Sequence, residues 1–160
     1  MNNYSEPTIR ARIKTVIESV ANSGPVHNRE RYIPDWEQLK ELFSVTIDGV
    51  TTLRGWMISL RHVAQVIETF QGGGDAETTS VTYTYRVRGY SSFIDADSSE
   101  ITFAALVLAV SKAIQVDATL DGYVWERETP AVAAIELGEV MFAGVLCHSV
   151  EMTLVFQEVV

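Results

Sequence analysis

Cysteine is nearly absent from this sequence: Cys147 stands alone among 160 residues. A single thiol excludes an internal disulfide framework. It also excludes the paired-cysteine motifs of structural zinc and of dithiol redox sites. A reducing compartment is the expectation. Cations are scarce as well. Twelve Lys and Arg face 21 Asp and Glu, a net charge of −9, and the cations form no block. Gripping nucleic acid requires clustered cations against phosphate, so that class is disfavoured. Long hydrophobic runs are missing too. The most apolar stretch, ITFAALVLAV at 101–110, is shorter than the ~20 residues of a bilayer-crossing helix. The opening MNNYSEPTIRAR lacks the apolar stretch of a signal peptide. No internal repeat or low-complexity tract interrupts the chain.

What is present is an ordinary globular composition, 47% hydrophobic, in a length that suits one domain over 1–160. Ile9, Ile13, Val16, Ile17 and Val20 recur at helical period, with Gly24-Pro25 as a stop. A short second helix is expected over 34–43, started by Pro34, with Trp36, Leu39 and Phe43 on one face. A long hairpin follows. On its first strand Ile58, Leu60, Ala64 and Val66 alternate with Ser59, Arg61, Gln65 and Thr69. On its return Val81, Tyr83, Tyr85 and Val87 alternate with Thr82, Thr84, Arg86 and Arg88. The glycine-rich QGGGDAETT at 71–79 is its protruding tip. A third helix starts near Asp97-Ser98-Ser99-Glu100 and is apolar on nearly every side, which predicts cover on more than one side. Strands over 131–137 and 144–158 close the chain. The fold class is α+β: a mainly antiparallel sheet with a long hairpin, flanked by two to three helices.

Candidate chemistry is sparse. His27, His62 and His148 have no second ligand at zinc spacing. Glu136 and Glu139 flank Gly138 in what reads as a solvated turn, and Asp95 and Asp97 read as a helix start. Cys147 and His148 are strand neighbours, so thiol and imidazole diverge. GGGD at 72–75 lacks the lysine of a phosphate loop. No metal and no cofactor are expected. Arg61, Arg86 and Arg88 share the non-core face of the hairpin. They are either solvated strand charge or a docking face for acids of a neighbouring subunit, such as Glu136, Glu139 or Glu151. Tyr32 and Trp36 either cap the local core or anchor an interface.

Four segments, in order along the chain, carry a resemblance: VHNRERYIPDW (26–36), RGWMISLR (54–61), YRVRGYSSFIDADSSEITFAALV (85–107) and MFAGVLCHSVEMTL (141–154). Within the first, His27, Arg31, Tyr32, Asp35 and Trp36 form the pattern. Together they resemble the tail terminator or tail-completion proteins of long-tailed bacteriophages. The resemblance implies a structural virion protein, not an enzyme, that forms a ring, commonly hexameric. Such a ring caps the head-proximal end of the tail tube, stops its polymerisation and offers a surface to the head. The implied partners are further copies of this chain, the tail tube protein and a head-tail connector or neck protein. DNA would pass the lumen without specific binding, and no membrane is involved. The implied location is the virion tail, assembled in the host cytoplasm. A neck or head-completion protein is the second expectation. A small-ligand domain or enzyme with a dispersed site is the third.

Overall fold

The computed structural model describes residues 5–69, 77–94, 98–117, 119–120, 122, 124 and 130–160. The elements run α1 (Glu6–Glu18), β1 (Val26–His27), α2 (Trp36–Leu42), β2 (Ser44–Ile47), β3 (Val50–Thr69), β4 (Glu77–Ser92), α3 (Ser99–Val116), β5 (Val132–Phe142) and β6 (Val145–Val159). The α+β class is as the periodicities indicate. One mostly antiparallel sheet has the order β1-β3-β4-β6-β5, with β2 also paired to β3 and β1 alone running parallel. Part of the expected tip lies outside the described residues, at 71–76; Glu77–Thr79 belong to β4. Asp95 and Asp97 also lie outside them.

The main core forms where α1 and α3 lie on one face of the sheet. Ile9, Ile13, Val16 and Ile17 of α1 meet Phe103, Val107, Val110 and Ile114 of α3. Beneath them lie Trp56, Ile58, Tyr85, Val87, Met152 and Leu154. The start of α1 is tied to the far end of the chain: the Ser5 backbone N–H donates to the buried Glu158 carboxylate at 3.1 Å, and the Tyr83 hydroxyl donates to the same oxygen. A smaller core fills the opposite face of the sheet. There α2 brings Leu39 and Phe43 against Leu53, Met57, Tyr90 and Cys147. Asp35 sets the start of α2, its carboxylate accepting from the N–H groups of Glu37 and Gln38 at 2.9 and 3.1 Å.

Three expectations need correction. Ala64 and Val66 do not share a face with Ile58 and Leu60. The β3–β4 register passes from Leu60↔Tyr85 to His62↔Thr84, so a β-bulge at Arg61 reverses the parity of everything beyond it. Val63, opposite Tyr83, and Gln65, opposite Val81, now continue the core face. Second, Glu136 and Glu139 are not in a turn. β5 continues through Gly138 to Phe142, and the reversal is Ala143-Gly144 with φ of 50° and 76°. Positive φ at both central residues is the hairpin geometry matched to sheet twist. Third, α3 runs past 110 to Val116. By length and composition it could cross a bilayer, but one of its faces is buried in the main core, as in a core helix.

Gly89 decides how close β3 and β4 can sit to Trp56. A Cβ there would lie 2.5 Å from the indole ring and 2.9 Å from Val150. At Gly138 a Cβ would meet nothing nearer than the Ser149 hydroxyl at 3.7 Å. We therefore expect Gly89→Val to destabilise the fold by about 1–3 kcal/mol or more through overpacking. Gly138→Val should stay within about 0.5 kcal/mol. Urea unfolding midpoints of the two variants check this.

Candidate functional site

The sheet face away from α1 and α3 gathers the three expected arginines. Arg86 stands opposite Ser59 and Thr153, and Arg88 opposite Met57 and Glu151. Arg86 reaches Glu30 at 2.9 Å, and Arg61 reaches the same oxygen at 4.0 Å. Glu151 lies 3.5 Å from Arg88 and 3.9 Å from Arg86. The hydrogen bond from Arg86 holds the Glu30 carboxyl below its ordinary range. The arginines thus already have acidic partners within their own chain, and Glu151 is one of them. Glu136 sits directly across from Glu151. That like-charge pair is tolerable because Arg88 lies beside it. Glu139 stands opposite His148 on the other face of the sheet. The structure therefore unites Arg61, Arg86, Arg88, Glu136 and Glu151 and separates Glu139. A shallow concavity of about 380 Å³ opens here, lined by Arg88, Tyr90, Glu136, Ser149 and Glu151 among others.

Tyr32 and Trp36 do not cap the core. Their relative exposures are 83% and 63%. Trp36 lies over the β5–β6 turn, where a Cβ on Gly144 would meet its ring at 2.7 Å. The indole is seated on backbone with much of its surface open to solvent, as an anchoring aromatic is.

Cys147 and His148 diverge as expected. Cys147 faces the smaller core, and burial pushes its thiol up to about 11. His148 turns to the α3 side, buried, stacked on Phe93 at 4.4 Å and near Phe103 at 5.9 Å. Its Nε2 is 2.8 Å from the Ser99 hydroxyl, which also accepts from the Ile94 N–H at 2.8 Å. A Ser–His pair 49 residues apart was not legible in the sequence. Its hydroxyl is committed to fastening the start of α3 to β6. A cavity of about 250 Å³ beside it is lined by Glu100, Phe103, Ala104, Leu137, Glu139 and His148. Among the described residues, no group of three His, Cys, Asp or Glu is placed to hold a metal.

The clearest unsatisfied surface is on α3. Phe103, Leu106, Val107, Val110 and Ile114 are buried, while Ile101, Ala105, Leu108, Ala109 and Val116 form a second stripe facing solvent. Ile101, Leu108 and Val116 are 68%, 63% and 79% exposed. Lys112 is the one charge in this outward row. Two sheet edges also carry no further strand among the described residues: β5 beyond Val132, whose N–H donates to the Gln115 side chain at 3.0 Å, on its side away from β6, and β3 beyond Met57 on its side away from β4.

His27 supplies a test of the segment VHNRERYIPDW. Its Nε2–H donates to the Leu42 carbonyl at 2.8 Å and its ring lies 4.9 Å from Phe43. Burial, and then the charges of Arg31, Lys14 and Arg29, lower its pKa, against the opposing pull of the Leu42 carbonyl. The folded state thus binds fewer protons than the unfolded chain once the pH falls below the ordinary histidine value of about 6.5. Stability should decline as the pH falls through that range, and His27→Asn should flatten the decline. Urea midpoints between pH 8 and pH 5 measure both. No protein-family model matches the chain, and no curated protein matches it.

Proposed function

We propose that this protein is a ring-forming structural subunit of a long-tailed phage virion. In this reading a hexameric ring caps the head-proximal end of the tail tube and offers its other surface to the head. The observation that carries the ring is the outward stripe of α3. A row of Ile101, Leu108 and Val116 in water is unfavourable, and its burial against another chain is worth about 25 cal/mol per Å² of apolar surface removed from water. Trp36 and Tyr32 add aromatic anchors at a second place on the surface. Two different patches per subunit are what a head-to-tail ring requires. The net charge of −9 suits a lumen through which DNA slides, since like charge keeps phosphate from sticking. The assignment to a tail rests on the four resembling segments. A neck or head-completion protein would share this surface physics and differ in its target.

The purified protein should form rings in negative stain and bind the ends of isolated tail tubes. Rings that ignore tubes and bind portal assemblies would favour the neck reading. Leu108→Glu should raise the concentration needed for assembly at least tenfold, because a carboxylate would have to be desolvated there. Its circular dichroism should match the parent, since Leu108 lies outside the core. Sedimentation velocity across a concentration series checks the shift. A protein that stays monomeric, alone and with tubes, would sink the proposal.

A further inference from the structure

We infer that neighbouring copies join by β-strand addition, the open edge of β5 in one copy pairing antiparallel with the open edge of β3 in the next. This rests on the ring reading and specifies how the ring closes. The two edges lie at opposite sides of one sheet. The strands β3, β4, β6 and β5 alternate in direction. A further β3 placed beside β5, with both copies in the same orientation, is therefore antiparallel to it without any flip. An unpaired edge is a template for such addition. No described strand lies against β5 on its outer side or against β3 beyond Met57, although the Val132 N–H at the start of β5 donates to the Gln115 side chain at 3.0 Å.

The side chains select a register. On the face away from α1 and α3, β5 presents Ala134 and Glu136, and β3 beyond its bulge presents His62, Ala64 and Val66. On the core face β5 presents Ile135, and β3 presents Val63. Setting Glu136 opposite His62 places Ala134 opposite Ala64 and Ile135 opposite Val63. Every face then matches. Glu136 also comes beside Arg61, whose only ion pair within the described residues is the loose 4.0 Å contact to Glu30. An acidic edge meets a basic one.

The geometry closes. In its own sheet Ile135 is level with Ile58, through Met152 and Val87. Pairing with Val63 of the next copy shifts that copy by about four to five residues, roughly 13–17 Å along the strands. The lateral step is four strands, about 19 Å at ~4.8 Å spacing. The resulting strand tilt is about 35–40°, within the range at which sheets close on themselves. The pairing is confined to Ala134–Glu136 with His62–Ala64: carried on to Phe142 it would reach Met57 and Trp56, where β1 already lies, so β5 must leave the neighbour's edge near Gly138.

The test uses the full chain, once the wild type has been sized by sedimentation. Glu136→Cys with His62→Cys places a thiol pair on exposed, facing positions. Oxidation should give a ladder of covalent oligomers on a non-reducing gel, ending at the ring number. Glu136→Cys with Val66→Cys, off register, should not cross-link. In parallel, Glu136→Arg alone should weaken assembly at least tenfold, and combining it with Arg61→Glu and His62→Glu should restore it. Intact rings with no in-register ladder, and with Glu136→Arg assembling like the parent, would overturn edge pairing and leave the ring standing. A wild type that is monomeric at every concentration and with tail tubes would remove both.

Discussion

Trp56 lies fully buried at the middle of the sheet, its ring across Gly89 of the next strand and its indole N–H donating to the Ser23 carbonyl at 2.7 Å. The same ring stacks near Phe103 of α3, 6.4 Å away. One side chain thus touches the end of the α1 connection, two strands and the third helix. A large aromatic can occupy this position only where the neighbouring strand lacks a Cβ. The hydrogen bond is then what fixes the ring's direction, since a buried indole N–H left without an acceptor would carry a desolvation penalty of about 1–3 kcal/mol. The Trp56 backbone N–H donates to Pro25 at 2.9 Å, and Trp56 pairs with Val26. These bonds bring β1 alongside β3 and start the segment that carries His27 and Glu30 to the other face.

The second face repeats the device. Gly55 leaves room for Phe43, whose ring a Cβ would meet at 2.6 Å. Phe43 in turn lies edge-on to Tyr90 and Phe142, which stack on each other at 4.1 Å. Successive strand positions, Gly55 and Trp56, therefore serve opposite cores. This is why a two-faced sheet can be held by so few helices. It also explains the histidine of VHNRERYIPDW: His27 ties the segment before α2 to the end of that helix through the Leu42 carbonyl. Its role is to close the smaller core.

Much of this was legible because apolar periodicity reports burial directly. The stripe of α1, the return strand β4 and the alternation of β6 all follow from it. What escaped is instructive. A bulge leaves no periodic signature until the strand beyond it is compared with its partner, so simple alternation puts Ala64 and Val66 on the wrong face. Gly138 read as a stop because glycine so often ends a strand, yet the real reversal is the positive-φ pair Ala143-Gly144. Asp48-Gly49, with φ of 51° and 78°, carries the same hairpin signal in plain dipeptide form. Reading it would have revealed β2. The arginine face was partly visible, since parity placed all three side chains together. Their partner Glu30 was not, because it lies 56 residues from Arg86 and arrives by way of β1. The Ser99–His148 bond was hidden for the same reason.

The composition of α3 ties the fold to assembly. An amphipathic surface helix presents one apolar stripe and leaves the rest polar. Here two stripes, offset around the same helix, are both apolar. Only the one holding Phe103, Val107, Val110 and Ile114 finds cover from the sheet and α1. The fold needs only that inward stripe. Replacing Leu108 or Val116 by lysine or glutamate would keep the helix amphipathic and the core whole. Leu, Val and Ile in the outward row therefore do no work for the isolated subunit, and they carry an aggregation hazard. Their physical use is a second partner. The two open strand edges lead to the same conclusion from the backbone, because unpaired N–H and C=O groups are also a hazard until another strand covers them. Side chains and main chain, on different parts of the surface, thus both leave unfinished what a neighbouring copy can complete.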